Sequence, residues 1–282
     1  AIAQRDVVPI LLEGLQRLEY RGYDSAGLAV RGEDGALRRI RSVGKVARLK
    51  EMADVSPVPG HLGIAHTRWA THGMPAERNA HPHMSGEKVA VVHNGIIENH
   101  AELREELKAK GFFFTSETDT EVIAHLLAHI LESEPDLLKA VQLAVKRLVG
   151  AYGLAVSSPG EPDRLVVARA GSPLVVGLGD GENFIASDVF ALLPVTQRFV
   201  FLEEGDIAEI RRDGIRVFDA AGQPAQRPER ISNISASTAE KGPYAHYMLK
   251  EIFEQPSVIA ETLEGRIHKG KLLEESFGHK AQ

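Results

Sequence analysis

Apolar residues recur every three or four positions in several parts of the chain, which is the spacing of an amphipathic helix. The first such helix begins at Asp6, has Pro9 in its first turn and ends at Arg21. Thr118 to Glu121 has the form of a capping box ahead of another apolar stripe. The predicted helices lie at residues 6–21, 44–52, 99–111, 118–130 and 136–148.

In the second half of the chain the apolar period changes to two, which is typical of strands with one buried face. Glycine, proline and aspartate separate these runs, so antiparallel meanders are expected. Helices grouped ahead of strands, rather than alternating with them, favour an α+β fold over a doubly wound sheet. The predicted strands lie at residues 25–30, 37–41, 62–65, 89–92, 152–156, 165–169, 174–178, 184–187, 199–202, 207–210 and 215–218.

A polar stretch without clear periodicity follows the last of these strands, from Asp219 to Ser237, and is predicted to be a long connector. A helical pattern resumes from Tyr244 to Glu254 and is interrupted by Pro256. We therefore predict one domain at residues 1–235 and a helical connector at residues 236–282.

Composition narrows the class of protein. The 282 residues are 43% hydrophobic, which is enough for a substantial core, and carry a net charge of −6, which argues against a nucleic-acid partner. Cysteine is absent, so disulfides, thiolate metal sites and thiol nucleophiles are excluded within these residues. Neither a signal peptide nor a membrane-length apolar run is visible, so a soluble cytoplasmic protein without membrane contact is expected.

Seven of the twelve histidines and the only tryptophan lie between His61 and His100. Glycine-containing turns are predicted at His72-Gly73 and His93-Asn94-Gly95 within this stretch. A polar excursion of this length between two strands is typical of a functional loop or of disorder. Taken singly, each residue has a structural interpretation: isolated histidines form hydrogen bonds, Trp69 packs, and Asp119 suits the first turn of a helix. HExxH and cysteine ligands are absent, so we predict neither a metal nor a cofactor.

The combination of motifs is more specific than any one of them. The motifs are Ala65–Gly73 (AHTRWATHG), His93–Gly95 (HNG), Glu117–Thr120 (ETDT) and, upstream, Tyr20–Gly27 (YRGYDSAG). Taken together in chain order, these motifs resemble those of the glutamine amidotransferases of the N-terminal-nucleophile type. The resemblance extends along nearly the whole chain. It implies a four-layer αββα sandwich and the hydrolysis of L-glutamine to L-glutamate and ammonia.

The resemblance also implies roles for individual residues. Arg68 would bind the α-carboxylate of glutamine through its planar guanidinium, and Asp119 would bind the α-ammonium. The Asn94 side chain and the Gly95 backbone N–H would stabilise the oxyanion formed when the amide is attacked. The other implied residues contact or cover the substrate: Trp69, Thr71 and His72 in a closing loop, and Arg21 near the nucleophile.

The chain departs from the family at the nucleophile. Members begin with Cys-Gly-Ile-Val-Gly, whose thiol attacks glutamine and whose free α-amine acts as the base, whereas this sequence starts at Ala1 and has no cysteine. We therefore expect residues 1–282 alone to be inactive.

The family members most similar to this chain continue into a sugar-phosphate isomerase region that uses fructose 6-phosphate, and the full-length enzyme is expected to be a homodimer. The late motif Lys250–Pro256 favours these members over those of purine synthesis, which stay as an alternative. A domain that binds glutamine or glutamate without reacting is the non-enzymatic alternative.

Overall fold

The apolar stripes form helices close to the predicted positions in a computed structural model, which describes residues 1–21, 24–69, 73–232, 243–263, 267–268 and 271–272. The chain divides into two units, Ala1–Ala236 and Ser237–Gln282. None of the described helices has both the length and the apolarity needed to cross a bilayer. The helices are α1 (Val8–Leu18), α2 (Val46–Val55), α3 (His100–Ala109), α4 (Asp119–Ile130), α5 (Leu137–Val145) and α6 (Tyr247–Leu263).

The strands belong to two antiparallel sheets of the first unit and to one short ladder of the second. They are β1 (Ser25–Arg31), β2 (Leu37–Val43), β3 (Leu62–Arg68), β4 (His83–Ser85), β5 (Val89–Ile97), β6 (Gly150–Ser157), β7 (Leu165–Ala170), β8 (Val175–Leu178), β9 (Asn183–Ala186), β10 (Arg198–Phe201), β11 (Ile207–Arg211), β12 (Gly214–Phe218), β13 (Pro224–Ala225), β14 (Glu229–Ile231), β15 (Ile267–His268) and β16 (Lys271–Leu272).

The first sheet has two parts, ordered β2-β1-β3 and β14-β10-β8-β9. Ile2 joins them, because it pairs with Leu62 of β3 on one side and with Asn183 of β9 on the other. The second sheet is continuous and has the order β13-β12-β11-β7-β6-β5-β4.

The two sheets pack face to face and helices cover both outer faces, so the predicted four-layer αββα sandwich is confirmed. Apolar side chains from both sheets, including Ile64 of β3 and Val92 of β5, form the core between them. A second core fills the space between the second sheet and helices α3, α4 and α5. Helices α1 and α2 pack on the first sheet, against β3 and against β1 and β2 respectively.

Helix α4 begins with a partly formed version of the predicted capping box. The Thr118 hydroxyl accepts a hydrogen bond from the Glu121 N–H at 3.3 Å. The Glu121 carboxylate does not complete the reciprocal bond, because it accepts instead from the backbone N–H groups of Thr115 and Ser116. The result is a loop held tightly against the first turn of α4.

The prediction of a turn at His93-Asn94-Gly95 is wrong. These residues lie inside β5, where Asn94 pairs with Gly153 and Gly95 with Tyr152 of β6. The glycine serves close packing of the backbone, because a Cβ at Gly95 would lie 2.0 Å from the Ala151 carbonyl oxygen.

Further differences from the sequence prediction concern short strands and one proline. The polar stretch after Asp219 contains β13 and β14, which extend both sheets, and β4 lies within the predicted loop between β3 and β5. Helix α6 continues through Pro256, although the sequence pattern predicts that this proline interrupts the helix. Backbone pairing with neighbouring strands explains β4, β13 and β14, since short polar strands carry little periodicity of their own.

Candidate active site

A cavity of about 510 Å³ opens through the first sheet between β3 and β9. Helix α1 lines one side, and β5 and β6 of the second sheet line the other. Ile2 fills the start of the gap between β3 and β9, and the Ala1 nitrogen donates to the Gly63 carbonyl at 2.8 Å. Within the described residues, no strand continues this pairing along the rest of β3. The cavity therefore has two facing strand edges in its walls.

Arg68 is the last residue of β3 and lines this cavity. Only 3% of it is exposed, and its Nη2 donates to the Gly73 carbonyl at 2.8 Å. Its Nη1 lies 3.5 Å from Oδ1 of Asp24. A buried guanidinium held in this way is a fixed positive group that suits a planar carboxylate.

Asn94 and Gly95 approach the same cavity from the second sheet. The Asn94 Oδ1 lies 2.7 Å from Nε2 of His66 on β3, so a hydrogen bond joins the two sheets here. Gly95 has a φ of +132°, which few residues other than glycine adopt, and it leaves its backbone close to the cavity. An amide side chain and a glycine N–H side by side are the donors that a developing oxyanion needs.

Asp119 lies behind β5 and is not among the residues that line the cavity. It is 4% exposed, and its Oδ2 accepts a hydrogen bond from the Ile97 N–H at 2.9 Å. The same oxygen is 3.8 Å from Nδ1 of His93. The Asp119 carboxylate is thus buried, and it contacts Ile97 and His93 of β5.

Of the residues that the resemblance places around the substrate, Trp69 lies within the described residues. Trp69 lines the cavity and is 68% exposed, as expected of a residue at its rim. Thr71 and His72 lie outside the described residues, as does the side chain of Arg21, whose backbone ends a 3₁₀ turn at Glu19–Arg21.

Three buried histidines lie near the site, and the motif resemblance implies no role for any of them. The rings of His66 and His81 are 4.3 Å apart, and those of His81 and His83 are 5.1 Å apart. Burial lowers the pKa of His66 to about 4, and burial together with the neighbouring charges holds the pKa of His81 and His83 well below the ordinary value. These imidazoles are therefore neutral near pH 7. Within the described part of the chain, no cluster of three or more histidine, aspartate or glutamate side chains is arranged to bind a metal ion.

Asn79 is a second feature that sequence reasoning missed. It is fully buried, and its Nδ2 donates to the Met74 carbonyl at 2.9 Å and to Oε2 of Glu117 at 2.6 Å. Its Oδ1 accepts from the Glu117 N–H at 3.1 Å. The segment that follows the predicted loop is thus fixed to the residues just before α4. The only sequence signal for this anchor was an Asn in a polar stretch.

Sequence comparison finds two kinds of match. A family model described as a glutamine amidotransferase domain matches residues 66–194. The chain is 62% identical over 281 residues to the glutamine–fructose-6-phosphate aminotransferase (isomerizing) of Pseudomonas putida and 60% identical over 272 residues to that of Escherichia coli K12. These alignments cover 100% and 96% of this chain but 46% and 44% of the relatives, so the chain spans less than half of their length.

Two solved structures share the fold. One is the glutamine phosphoribosylpyrophosphate amidotransferase from B. subtilis complexed with ADP and GMP, with a TM-score of 0.67 and 24% identity over 78% of this chain and 48% of that one. The other is an allosteric regulatory enzyme of purine biosynthesis, with a TM-score of 0.65 and 25% identity over 75% of this chain and 46% of that one.

Proposed function

This chain belongs to the glutamine amidotransferases, and from that membership we propose that its first unit binds glutamine in the cavity beside β3 and cleaves the side-chain amide. The observation that supports this most is that Arg68, which is buried, lines the same cavity as Asn94 and Gly95. His66, which contacts Asn94, and Arg68 are two residues apart and therefore lie on the same face of β3. The Cα atoms of these two residues are about 6.6 Å apart along the strand, which is comparable to the length of an extended glutamine.

Each end of glutamine would meet a different group. Arg68 would bind the α-carboxylate, and Asp119 is the proposed counter-charge for the α-ammonium from its buried position behind β5. Thiolate attack on the amide carbon forms a tetrahedral oxyanion, which the Asn94 Nδ2 and the Gly95 N–H would stabilise. The α-amine that took the thiol proton would pass it to the amide nitrogen as the C–N bond breaks, so that ammonia leaves, and water would then hydrolyse the thioester to glutamate and the free thiol.

The thiol has to come from outside the 282 residues, which contain no cysteine. The pairing of Ile2 with Leu62 gives the register in which a preceding strand would enter the gap between β3 and β9. Six steps back from Ile2 and six forward from Leu62 bring the fifth residue before Ala1 opposite Arg68. A Cys-Gly-Ile-Val-Gly segment in this register would have its thiol and its free α-amine, the family's general base, beside the proposed site. Arg21, Trp69, Thr71 and His72 are proposed to surround and cover the substrate.

The acceptor of the ammonia is a further part of the proposal. The relatives at 60–62% identity act on fructose 6-phosphate according to their names, so we assign the same acceptor here, with glucosamine 6-phosphate as product. The sugar would bind a C-terminal region beyond these residues, with residues 236–282 as connector, in a cytoplasmic homodimer. The purine-type alternative is weaker, because the corresponding identity is 24–25%.

The test is glutamate release from L-glutamine by three versions of the chain. Residues 1–282 preceded by Cys-Gly-Ile-Val-Gly should release glutamate, whereas the same extension with serine in place of cysteine, and the unextended chain, should not. Equal activity in the cysteine and serine versions would exclude thiol catalysis. Glutamate binding without turnover in all three would favour a binding domain.

A further inference from the structure

His66 and Asn94 form the hydrogen bond that connects the two sheets at the cavity. His66 lies on β3 of the first sheet and Asn94 on β5 of the second, and the His66 Nε2 and Asn94 Oδ1 atoms are 2.7 Å apart. His66 is 9% exposed, so water competes little for this bond. Both residues line the cavity.

The orientation of the Asn94 amide determines whether it can donate to an oxyanion. An asparagine side chain has an oxygen that only accepts and a nitrogen that only donates, so a rotation of 180° exchanges the two. With Oδ1 directed at His66, Nδ2 is directed away from His66 and can donate within the cavity. The opposite orientation would present an oxygen to the oxyanion and repel it.

We propose that His66 is a positioning residue: it donates its Nε2 proton to the Asn94 Oδ1 and so holds the Asn94 Nδ2 in the orientation that stabilises the oxyanion. This inference rests on the proposed glutaminase function for its catalytic consequence. The hydrogen bond itself and the position of the proton can be measured without any activity.

The burial of His66 keeps its ring in the neutral form. Burial lowers its pKa to about 4, so the ring is neutral near pH 7 and carries one proton. If that proton is on Nε2, the Asn94 Oδ1 accepts it, and a rotated amide would bring two donors together.

The His81 segment fixes the position of the His66 ring. The two rings lie 4.3 Å apart at an angle of 30°. The residue paired with His66 on β1 is Gly27, where a Cβ would lie 2.2 Å from the His81 carbonyl oxygen. The His81 backbone therefore packs directly against β1, and the ring next to it has little room to move.

The first experiment uses the 282-residue chain with ¹⁵N-labelled histidine. Long-range ¹H–¹⁵N correlation spectra at pH 7 should show His66 as a neutral ring protonated at Nε2. In Asn94→Ala the His66 Nε2–H signal should shift, whereas an exposed control, His61→Ala, should leave it unchanged. A His66 ring protonated at Nδ1, or an Nε2–H signal insensitive to Asn94→Ala, would overturn the proposal.

The second experiment measures kinetics in the chain extended by Cys-Gly-Ile-Val-Gly. His66→Leu removes the donor, and kcat should fall by about tenfold or more with little change in KM, because one oriented oxyanion donor is lost. His66→Gln keeps an N–H that reaches Asn94 and should restore most of kcat.

The decisive comparison combines the two sites. His66→Leu should lower kcat no further once Asn94→Ala is present, because His66 acts through Asn94. An equal loss in both backgrounds would mean a general structural effect and would contradict the proposal. If the extended parent releases no glutamate, the proposed function fails, while the spectra of the unextended chain still decide the orientation of Asn94.

Discussion

Arg68 and Asn94 lie in one cavity but would act at different stages of the reaction. The charge of the α-carboxylate bound by Arg68 stays constant throughout. The charge on the amide oxygen near Asn94 grows as the thiolate attacks. Only an interaction that strengthens in the transition state raises kcat, so the two residues should be separable by kinetics.

In the cysteine-extended chain, Asn94→Ala should lower kcat by about a hundredfold or more while KM changes little. Arg68→Ala should raise KM, because it removes binding energy that substrate and transition state share. Steady-state rates over a range of glutamine concentrations measure both. A fully active Asn94→Gly would remove the oxyanion role, and a kcat effect confined to Arg68→Ala would reverse the assignment.

The motifs identify candidate residues of the site, but they do not predict the contacts around those residues. Arg68, Trp69, Asn94 and Gly95 line one cavity, and the roles that the motifs imply for them stay predictions. The contact of His66 with Asn94 was not predictable, because it joins two sheets whose packing is not encoded in local spacing. The interpretation of Asn94 as a turn former is wrong, since it lies in a strand.

At the scale of elements, the anchor between Asn79 and Glu117 connects the segment after the predicted loop to the start of α4. Asn79 uses both its amide nitrogen and its amide oxygen for this connection. Gly73, near the start of the same segment, accepts a hydrogen bond from Arg68. The anchor therefore supports the position of the proposed carboxylate-binding residue.

Asn79→Ala should lower the free energy of unfolding by about 1–3 kcal/mol, because it removes the three hydrogen bonds that this fully buried amide makes. It should also weaken glutamate binding. The matched control is Arg78→Ala, which removes an exposed ion pair with the same Glu117 and should lower the free energy of unfolding much less than Asn79→Ala does. Urea unfolding and calorimetric titration with glutamate measure the two effects. Equal losses in both variants would contradict the anchor.

Element boundaries were predictable where the apolar period was clear and were wrong where tertiary pairing decided them. The stripe of α1 and the alternation of β7 follow directly from their sequences. Gly95 was interpreted as a turn residue, although its small size serves the contact with Ala151 across β5 and β6. Sequence alone does not distinguish these two uses of glycine.

For the whole molecule, the buried histidines make stability depend on pH. His66, His81 and His83 have folded-state pKa values below the ordinary value of 6.5, so the unfolded chain binds protons that the folded chain excludes. The free energy of unfolding should therefore fall as the pH decreases below about 6.5. The contribution of His66 levels off near its folded pKa of about 4 and amounts to about 3 kcal/mol in total.

Urea unfolding at pH 7, 6 and 5 tests this dependence above the range where carboxylates titrate. The parent should lose stability across this interval. His81→Phe, which keeps a ring but cannot take up a proton, should lose less. The exposed control His61→Ala should behave as the parent does, and identical slopes in all three proteins would show that the cluster does not control the acid response.

The four layers and the gap between β3 and β9 together lead to the central claim, that glutamine binds beside β3. The crystal structure of residues 1–282 with L-glutamate tests this most directly, because the product can bind without a nucleophile. We expect the α-carboxylate at hydrogen-bond distance from Arg68 and the side-chain carboxylate at the Asn94 Nδ2 and the Gly95 N–H, each within about 3 Å. Glutamate bound outside this cavity, or in the reverse orientation, would contradict the account.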